Sequence, residues 1–255
     1  MSQNIVFIPN VDLGNGRSSN YKYSIESWKI WGKKNNAKVI EWKDPITDPT
    51  YMKITLQRYW VHDILQHNEI DYDQVLIVDA DTIVHPDCPN FFEETNHKYS
   101  AVLNNGCYEW TTRSIKDWGN AMFPNEPLVK PYNYFNTGFV IANKEHKPFF
   151  DIVKNLYLEK GEEIKMHRDR IKASTGQTIV NFLLQKHNIE TTTLSEAYNL
   201  QDLFRKNLLH IPNHSWWKDE LRFLDAGWVY HFNAIPKNPR DVSYWMERTY
   251  KHLYE

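Results

Sequence analysis

Apolar residues in this chain fall into two rhythms. Short runs at 5–8, 39–42 and 75–78 read as strands, and the unbroken Val-Leu-Ile-Val of 75–78 reads as a strand buried on both faces. Tyr21, Ile25, Trp28 and Trp31 recur at steps of four, three and three, which predicts a helix opened by Ser18 or Ser19. Leu56, Trp60 and Ile64 step by four and predict a helix over 51–66. Further strands are expected at 100–103, 139–142 and 226–232, with an edge strand at 190–194. Phe149, Phe150, Val153, Leu156 and Tyr157 form one helical stripe, followed by a densely charged and solvated stretch over 159–172. Ser174 opens another helix with Ile179, Val180, Leu183 and Leu184 inward, and a last helix starts near Asp241.

Strands alternating with helices favour an α/β fold with a central mixed, mainly parallel sheet flanked by helices. The segment 104–134 has weak periodicity and carries Gly106, Gly119, Pro124, Pro127 and Pro131, so it is expected to be a lid or binding loop. Its aromatics, Tyr108, Trp110, Trp118 and Phe123, suit either a surface that covers a carbohydrate or tethers to the core.

At 255 residues the chain can bury a large core, and with no linker-like stretch it is expected to be one domain. Net charge is −2 with Lys and Arg dispersed, which argues against a nucleic-acid binder. Two cysteines, Cys88 and Cys107, imply no disulfide framework. No apolar run reaches bilayer length and the amino terminus lacks a signal-peptide pattern, so a soluble, cytoplasmic protein is expected.

Candidate chemistry starts at Asp79-Ala80-Asp81, directly after the 75–78 run. In a strand, i and i+2 side chains share a face, so both carboxylates should project together from its carboxyl end. There they would repel each other unless a hard divalent cation, Mg2+ or Mn2+, sits between them. In open α/β sheets that end of the strand is where ligands bind. The plainer possibility is one Asp capping a turn and the other solvated. His231 reads either as a third metal ligand or as a core histidine, and Lys237 as a phosphate partner or a surface charge. The Gly14-Asn15-Gly16 loop reads as a close ligand approach or as an ordinary turn.

Asp79-Ala80-Asp81 resembles the Asp-x-Asp motif of GT-A glycosyltransferases. The segments 134–143 (Tyr-Phe-Asn-Thr-Gly-Phe-Val-Ile-Ala-Asn), 176–181 (Gly-Gln-Thr-Ile-Val-Asn) and 231–237 (His-Phe-Asn-Ala-Ile-Pro-Lys) resemble, in order, three motifs of glycosyltransferase family 8, the group of glycogenin and bacterial lipopolysaccharide galactosyltransferases. The resemblance implies a GT-A, Rossmann-like domain spanning 1–255, with a nucleotide-binding half over 1–103 and an acceptor and donor-sugar half over 104–255. It implies a retaining transfer of a hexose from a UDP-sugar to a glycan or other hydroxyl acceptor. By it Asp79, Asp81 and His231 would ligate Mn2+ or Mg2+, and Lys237 would hold the diphosphate. Ile8, Pro9 and Asn10 would hold the uracil, and Asp79 and Ala80 the ribose side. Asn136, Gly138 and Gln177 would line the donor sugar, with Gln177 beside the anomeric carbon. Lys53, in Tyr-Met-Lys-Ile-Thr-Leu, is similar to a family 34 position and would touch the donor.

The chain departs from the family 8 pattern at Ala234, which replaces a glycine, and at Asn238, which replaces a proline. Gly176 and Thr178 replace the acids that flank Gln177, and Ser174-x-x-Gln177 also reads as a capping box. Three other readings compete. An inverting transferase would use Asp219 or Glu220 as base. A haloacid-dehalogenase-like phosphatase would use Asp79 as nucleophile and Asp81 as acid. An inactive carbohydrate-binding scaffold would keep the fold alone.

Overall fold

The computed structural model describes residues 2–12, 14, 18–49, 52–173, 176–209, 221–237 and 240–255. The chain runs β1 (Gln3–Pro9), α1 (Lys22–Lys34), β2 (Ala37–Trp42), α2 (Ile54–Gln57), α3 (Val61–His67), β3 (Tyr72–Val78), β4 (Thr82–Val84) and β5 (Tyr99–Leu103). It continues with α4 (Tyr108–Met122), β6 (Phe135–Asn143), α5 (Lys147–Ile171), α6 (Gly176–Lys186), β7 (Thr191–Leu194), β8 (Val229–His231) and α7 (Val242–Tyr254). Six strands form one sheet in the order β2-β1-β3-β6-β5-β7. β6 is antiparallel to both its neighbours, while the other pairings are parallel. β4 and β8 pair antiparallel as a separate ribbon.

The unbroken apolar runs follow from a sheet covered on both faces. Ile5, Phe7, Val75 and Ile77 belong to one core cluster, and the alternating Val6, Ile8, Leu76 and Val78 to the other. α1 packs on the second cluster through Tyr21, Ile25, Trp28 and Trp31, all buried, and Trp31 stacks on Phe91 at 4.5 Å. β7 lies at the sheet edge, and Asp241 caps α7 by accepting from the Tyr244 amide at 3.0 Å.

Several expectations need correction. Segment 104–134 is no open lid, because its centre is the fifteen-residue helix α4. Its inward positions, Thr111, Ser114, Ile115, Trp118 and Gly119, have helical spacing, but only two are large and apolar, which hides the periodicity. Trp118 and Phe123 are core residues, with Phe123 stacked on Phe182 at 4.7 Å. The expected helix over 51–66 is broken into α2, a 3-10 turn at Arg58–Trp60, and α3. Gln57 and Arg58 point inward there; the Gln57 amide bonds Ile46, Thr47 and Met52 main-chain atoms, and Arg58 reaches another strand. The charged stretch 159–172 is solvated as expected apart from buried Ile164 and Ile171, and it is mostly the second half of α5, kinked at Lys160. Ser174 lies outside the described residues. No helix among the described residues is long and apolar enough to cross a membrane.

Candidate metal and donor site

β3 stops at Val78, so Asp79, Ala80 and Asp81 form the turn into β4. The two carboxylates lie together beyond the strand's carboxyl end, as expected, but the turn, and not the strand pleat, sets them. That turn is pinned. Thr82 Oγ1 donates to the Asp79 carbonyl at 2.8 Å and accepts from the Trp28 indole at 3.0 Å. β4 then pairs with β8 so that Thr82 faces His231, and the Phe232 amide donates to the Asp81 carbonyl at 2.8 Å. A sequence separation of 150 residues is closed by this three-residue ribbon.

The result is a cluster. One ligand atom each from Asp79, Asp81 and His231 lies within 4.8 Å of the others. His231 Nε2 stands 3.2 Å from Asp81 Oδ1 and 3.6 Å from Asp79 Oδ2. The ring is 4 % exposed, the carboxylates 28 % and 20 %, so the opening is on the acidic side. Burial disfavours a charged ring here, but the carboxylates of Asp81 and Asp79 outweigh it and hold the His231 pKa above its ordinary value. One neutral imidazole and two carboxylates are the donor set that manganese or magnesium takes.

Gly138 makes the approach possible. A Cβ at 138 would meet His231 Cε1 at 2.5 Å, Asp79 Oδ2 at 2.6 Å and Asn136 Oδ1 at 2.9 Å. Gly138, in the middle of β6, is thus required by close packing of the cluster.

Arg58 was not anticipated from the sequence. Its buried guanidinium donates to Asp79 Oδ1, to the Thr137 carbonyl at 2.8 Å and, through Nε, to the Thr55 carbonyl at 2.7 Å. Burial opposes its charge, but Asp79 and Asp81 raise its pKa, so it stays a cation. The apolar steps at Leu56, Trp60 and Ile64 pass over position 58, so no local pattern marked it.

Two cavities meet at Asp79 and Arg58. One, about 220 Å³, is lined by Pro9, Asn10, Ser18, Tyr21, Ala80 and Asp81 in addition to that pair. Asn10 is held there by its amide on Glu41 Oε1 at 2.8 Å. Ile8, by contrast, is fully buried in the core behind this cavity. The other cavity, about 230 Å³, is lined by Lys53, Thr137, Gly176 and Gln177. Partial burial, then Arg168, lowers the Lys53 pKa.

Gln177 does not spend its side chain on its own helix. Its Oε1 accepts from the Thr137 amide at 3.2 Å, and its Nε2 donates to Asn104 Oδ1 at 3.1 Å. Asn136 lies deeper and is 5 % exposed. Its Nδ2 donates to Gln201 and to Asn104 Oδ1, so a run of side-chain amides backs the second cavity. Asn104, Asn199 and Gln201 also went unread in the sequence, although Asn199 and Gln201 flank a buried Leu200. Lys237 is exposed, six residues beyond His231 on the loop that leaves β8. Asn15, Gly16, Asp219, Glu220 and Asn238 lie outside the described residues.

No protein-family model matches the chain, and no curated protein matches it. Solved structures do. The fold is similar to that of a glycosyltransferase involved in the glycosylation of the major capsid of PBCV-1, with a TM-score of 0.57 and 10 % identity over 96 % of this chain and 98 % of that one. It is also similar to the glycosyltransferase GlyE of Streptococcus pneumoniae TIGR4, at TM-score 0.52 and 12 % identity over 100 % of this chain. This chain spans 61 % of that protein. The apo form of GlyE matches at TM-score 0.51 and 15 % identity. The chain therefore has the GT-A fold of these glycosyltransferases.

Proposed function

We propose that this protein is a metal-dependent glycosyltransferase that moves a hexose from a nucleotide sugar, a UDP-sugar by its resemblance to family 8, to a hydroxyl of a glycan or other acceptor. One observation supports the proposal: Asp79, a member of the Asp79–Asp81–His231 cluster, lines both of two adjoining cavities of about 220 and 230 Å³, which this reading gives to the nucleoside and to the sugar. A diphosphate spans such a junction in a nucleotide sugar. The GT-A fold shared with the solved glycosyltransferases supports it, as does the order of the motif segments.

In this reading a divalent cation, when bound by Asp79, Asp81 and His231, supplies charge neutralisation on the departing diphosphate. Asn10 and Pro9 line the base and ribose cavity, and Lys53 lines the sugar cavity. Arg58 holds Asp79 in one orientation through its guanidinium. Lys237 brings a further positive charge to the leaving group. Gln177 and Thr137 close the wall of the sugar cavity, with Asn136 behind them, and keep its polar groups fixed before the donor arrives. By the resemblance to family 8, the acceptor hydroxyl attacks from the leaving-group face and its proton passes to the departing phosphate, which is transfer with retention.

The test is a panel of nucleotide sugars assayed for Mn2+-dependent hydrolysis, which needs no knowledge of the acceptor. Asp81→Ala should abolish the metal-dependent signal while the circular dichroism spectrum stays unchanged. Full activity of that variant would end the proposal. NMR of the product's anomeric configuration separates retention from inversion.

A further inference from the structure

Which nitrogen of His231 can face a cation is decided by a chain of hydrogen bonds that begins at a backbone amide. The Gly138 N–H donates to Asn136 Oδ1 at 2.8 Å. A backbone N–H can only donate, so the Asn136 atom it meets is oxygen, and the amide of Asn136 has one orientation. That same oxygen lies 3.0 Å from the Asn199 amide, which must therefore present its NH2 group. The remaining oxygen of Asn199 then faces His231 Nδ1 at 3.0 Å. Oxygen there accepts only, so Nδ1 carries the proton. Nε2 is left toward Asp81 and Asp79.

The backbone holds these residues in line. Leu200 bridges to Tyr230, its amide donates to the Val229 carbonyl at 2.8 Å, and the His231 amide donates to the Leu200 carbonyl at 3.0 Å. Asn199 is fully buried, so no water competes for its oxygen.

We propose that Asn199 is the positioning residue of the metal centre: its side-chain oxygen fixes His231 as the Nδ1–H tautomer and thereby reserves Nε2 for a divalent cation. This rests on the metal-dependent reading above. An outer partner of a ligating imidazole typically changes metal affinity by about 10- to 100-fold. The acceptor role is separable from the amide's other bond. Asn199→Leu keeps the branched shape and removes both functions, whereas Asn199→Asp keeps an acceptor for Nδ1–H and loses the donor to Asn136.

Mn2+ binding, with UDP present, is measured by electron paramagnetic resonance of the free ion for the unaltered protein and both variants, with thermal midpoints recorded alongside. N199L should bind Mn2+ about 10- to 100-fold more weakly. N199D should bind at least as tightly as N199L by a clear margin, approaching the unaltered protein. In 15N-imidazole spectra of the Mg2+- and UDP-loaded protein, His231 should carry its proton on Nδ1 in the unaltered protein and in N199D. Equal Mn2+ affinity for N199L and the unaltered protein, equal weakness of N199D and N199L, or an Nε2–H ring in the loaded protein each overturns the assignment of Asn199. Absence of Mn2+ binding to the unaltered protein overturns the metal-dependent function together with it.

Discussion

Gly138 lies so close to His231 that a single added methyl group would sit 2.5 Å from the ring's Cε1. The methyl would also meet Asp79 Oδ2 at 2.6 Å, so neither ligand could keep its place. Gly138→Ala should cost about 1–3 kcal/mol through overpacking and also remove Mn2+ binding. Urea unfolding and metal titration on the same sample check both halves. A variant that folds and binds Mn2+ normally would show that the cluster is not constrained from this side.

Arg58 and Asp79 form a partly buried ion pair, with Asp79 28 % exposed. Arg58→Met should destabilise the metal-free protein by roughly 3 kcal/mol, at the lower end for a broken buried pair because solvent reaches Asp79. A cation offsets the same lost charge. Saturating Mn2+ should therefore raise the thermal midpoint of the variant more than that of the unaltered protein, as differential scanning fluorimetry would read.

Ala234 has φ of +55°, in the left-handed region that the resembling motif fills with glycine. The backbone course is kept and the side chain strains it, by about 1–2 kcal/mol for an L residue. Glycine relieves that strain and frees the unfolded chain, so Ala234→Gly should stabilise by a net of roughly 0.5 kcal/mol. Ala234→Val should destabilise by about 1 kcal/mol or more, since β-branched residues tolerate this region poorly. Urea midpoints of the three proteins give the order Gly, Ala, Val.

His62 is buried with Nδ1 2.5 Å from the Tyr72 hydroxyl, and burial first, then His146, lowers its pKa from 6.5 to about 4. Below pH 6.5 the unfolded chain takes up this proton while the folded chain refuses it. Stability from His62 is thus present above pH 6.5 and falls by roughly 3 kcal/mol as pH drops toward 4. His62→Gln should remove that loss. Comparing urea unfolding at pH 7.5 and 4.5 in both proteins isolates it from the other histidines.

The α/β alternation, the sheet's central strand and the helix α1 were legible because apolar period alone specifies them. Asp79, Asp81 and His231 were legible because rare residue types end apolar runs, even though a turn and not a pleat joins the aspartates. α4 was not legible, since its inward face is built of Thr, Ser and Gly around one isoleucine and one tryptophan. Arg58, Asn104, Asn199 and Gln201 were hidden for a different reason. Each acts through a partner 20 to 70 positions away, and no local pattern marks such a bond. Asn136 and Gln177 were found through motif resemblance, which named them without explaining that they bond to Asn104 together.

Among the described residues, β6 is the only strand that joins the β2-β1-β3 group to the β5-β7 group. It also carries Asn136, Thr137 and Gly138, the residues on which Asp79, Gln177, Asn199 and His231 are braced. The Asp79–Asp81–His231 cluster and its braces therefore assemble only with the whole sheet, and they cannot loosen without parting the two groups. Its integrity is tied to cooperative folding of the whole sheet, so a ligand that occupies it lends its free energy to every strand at once.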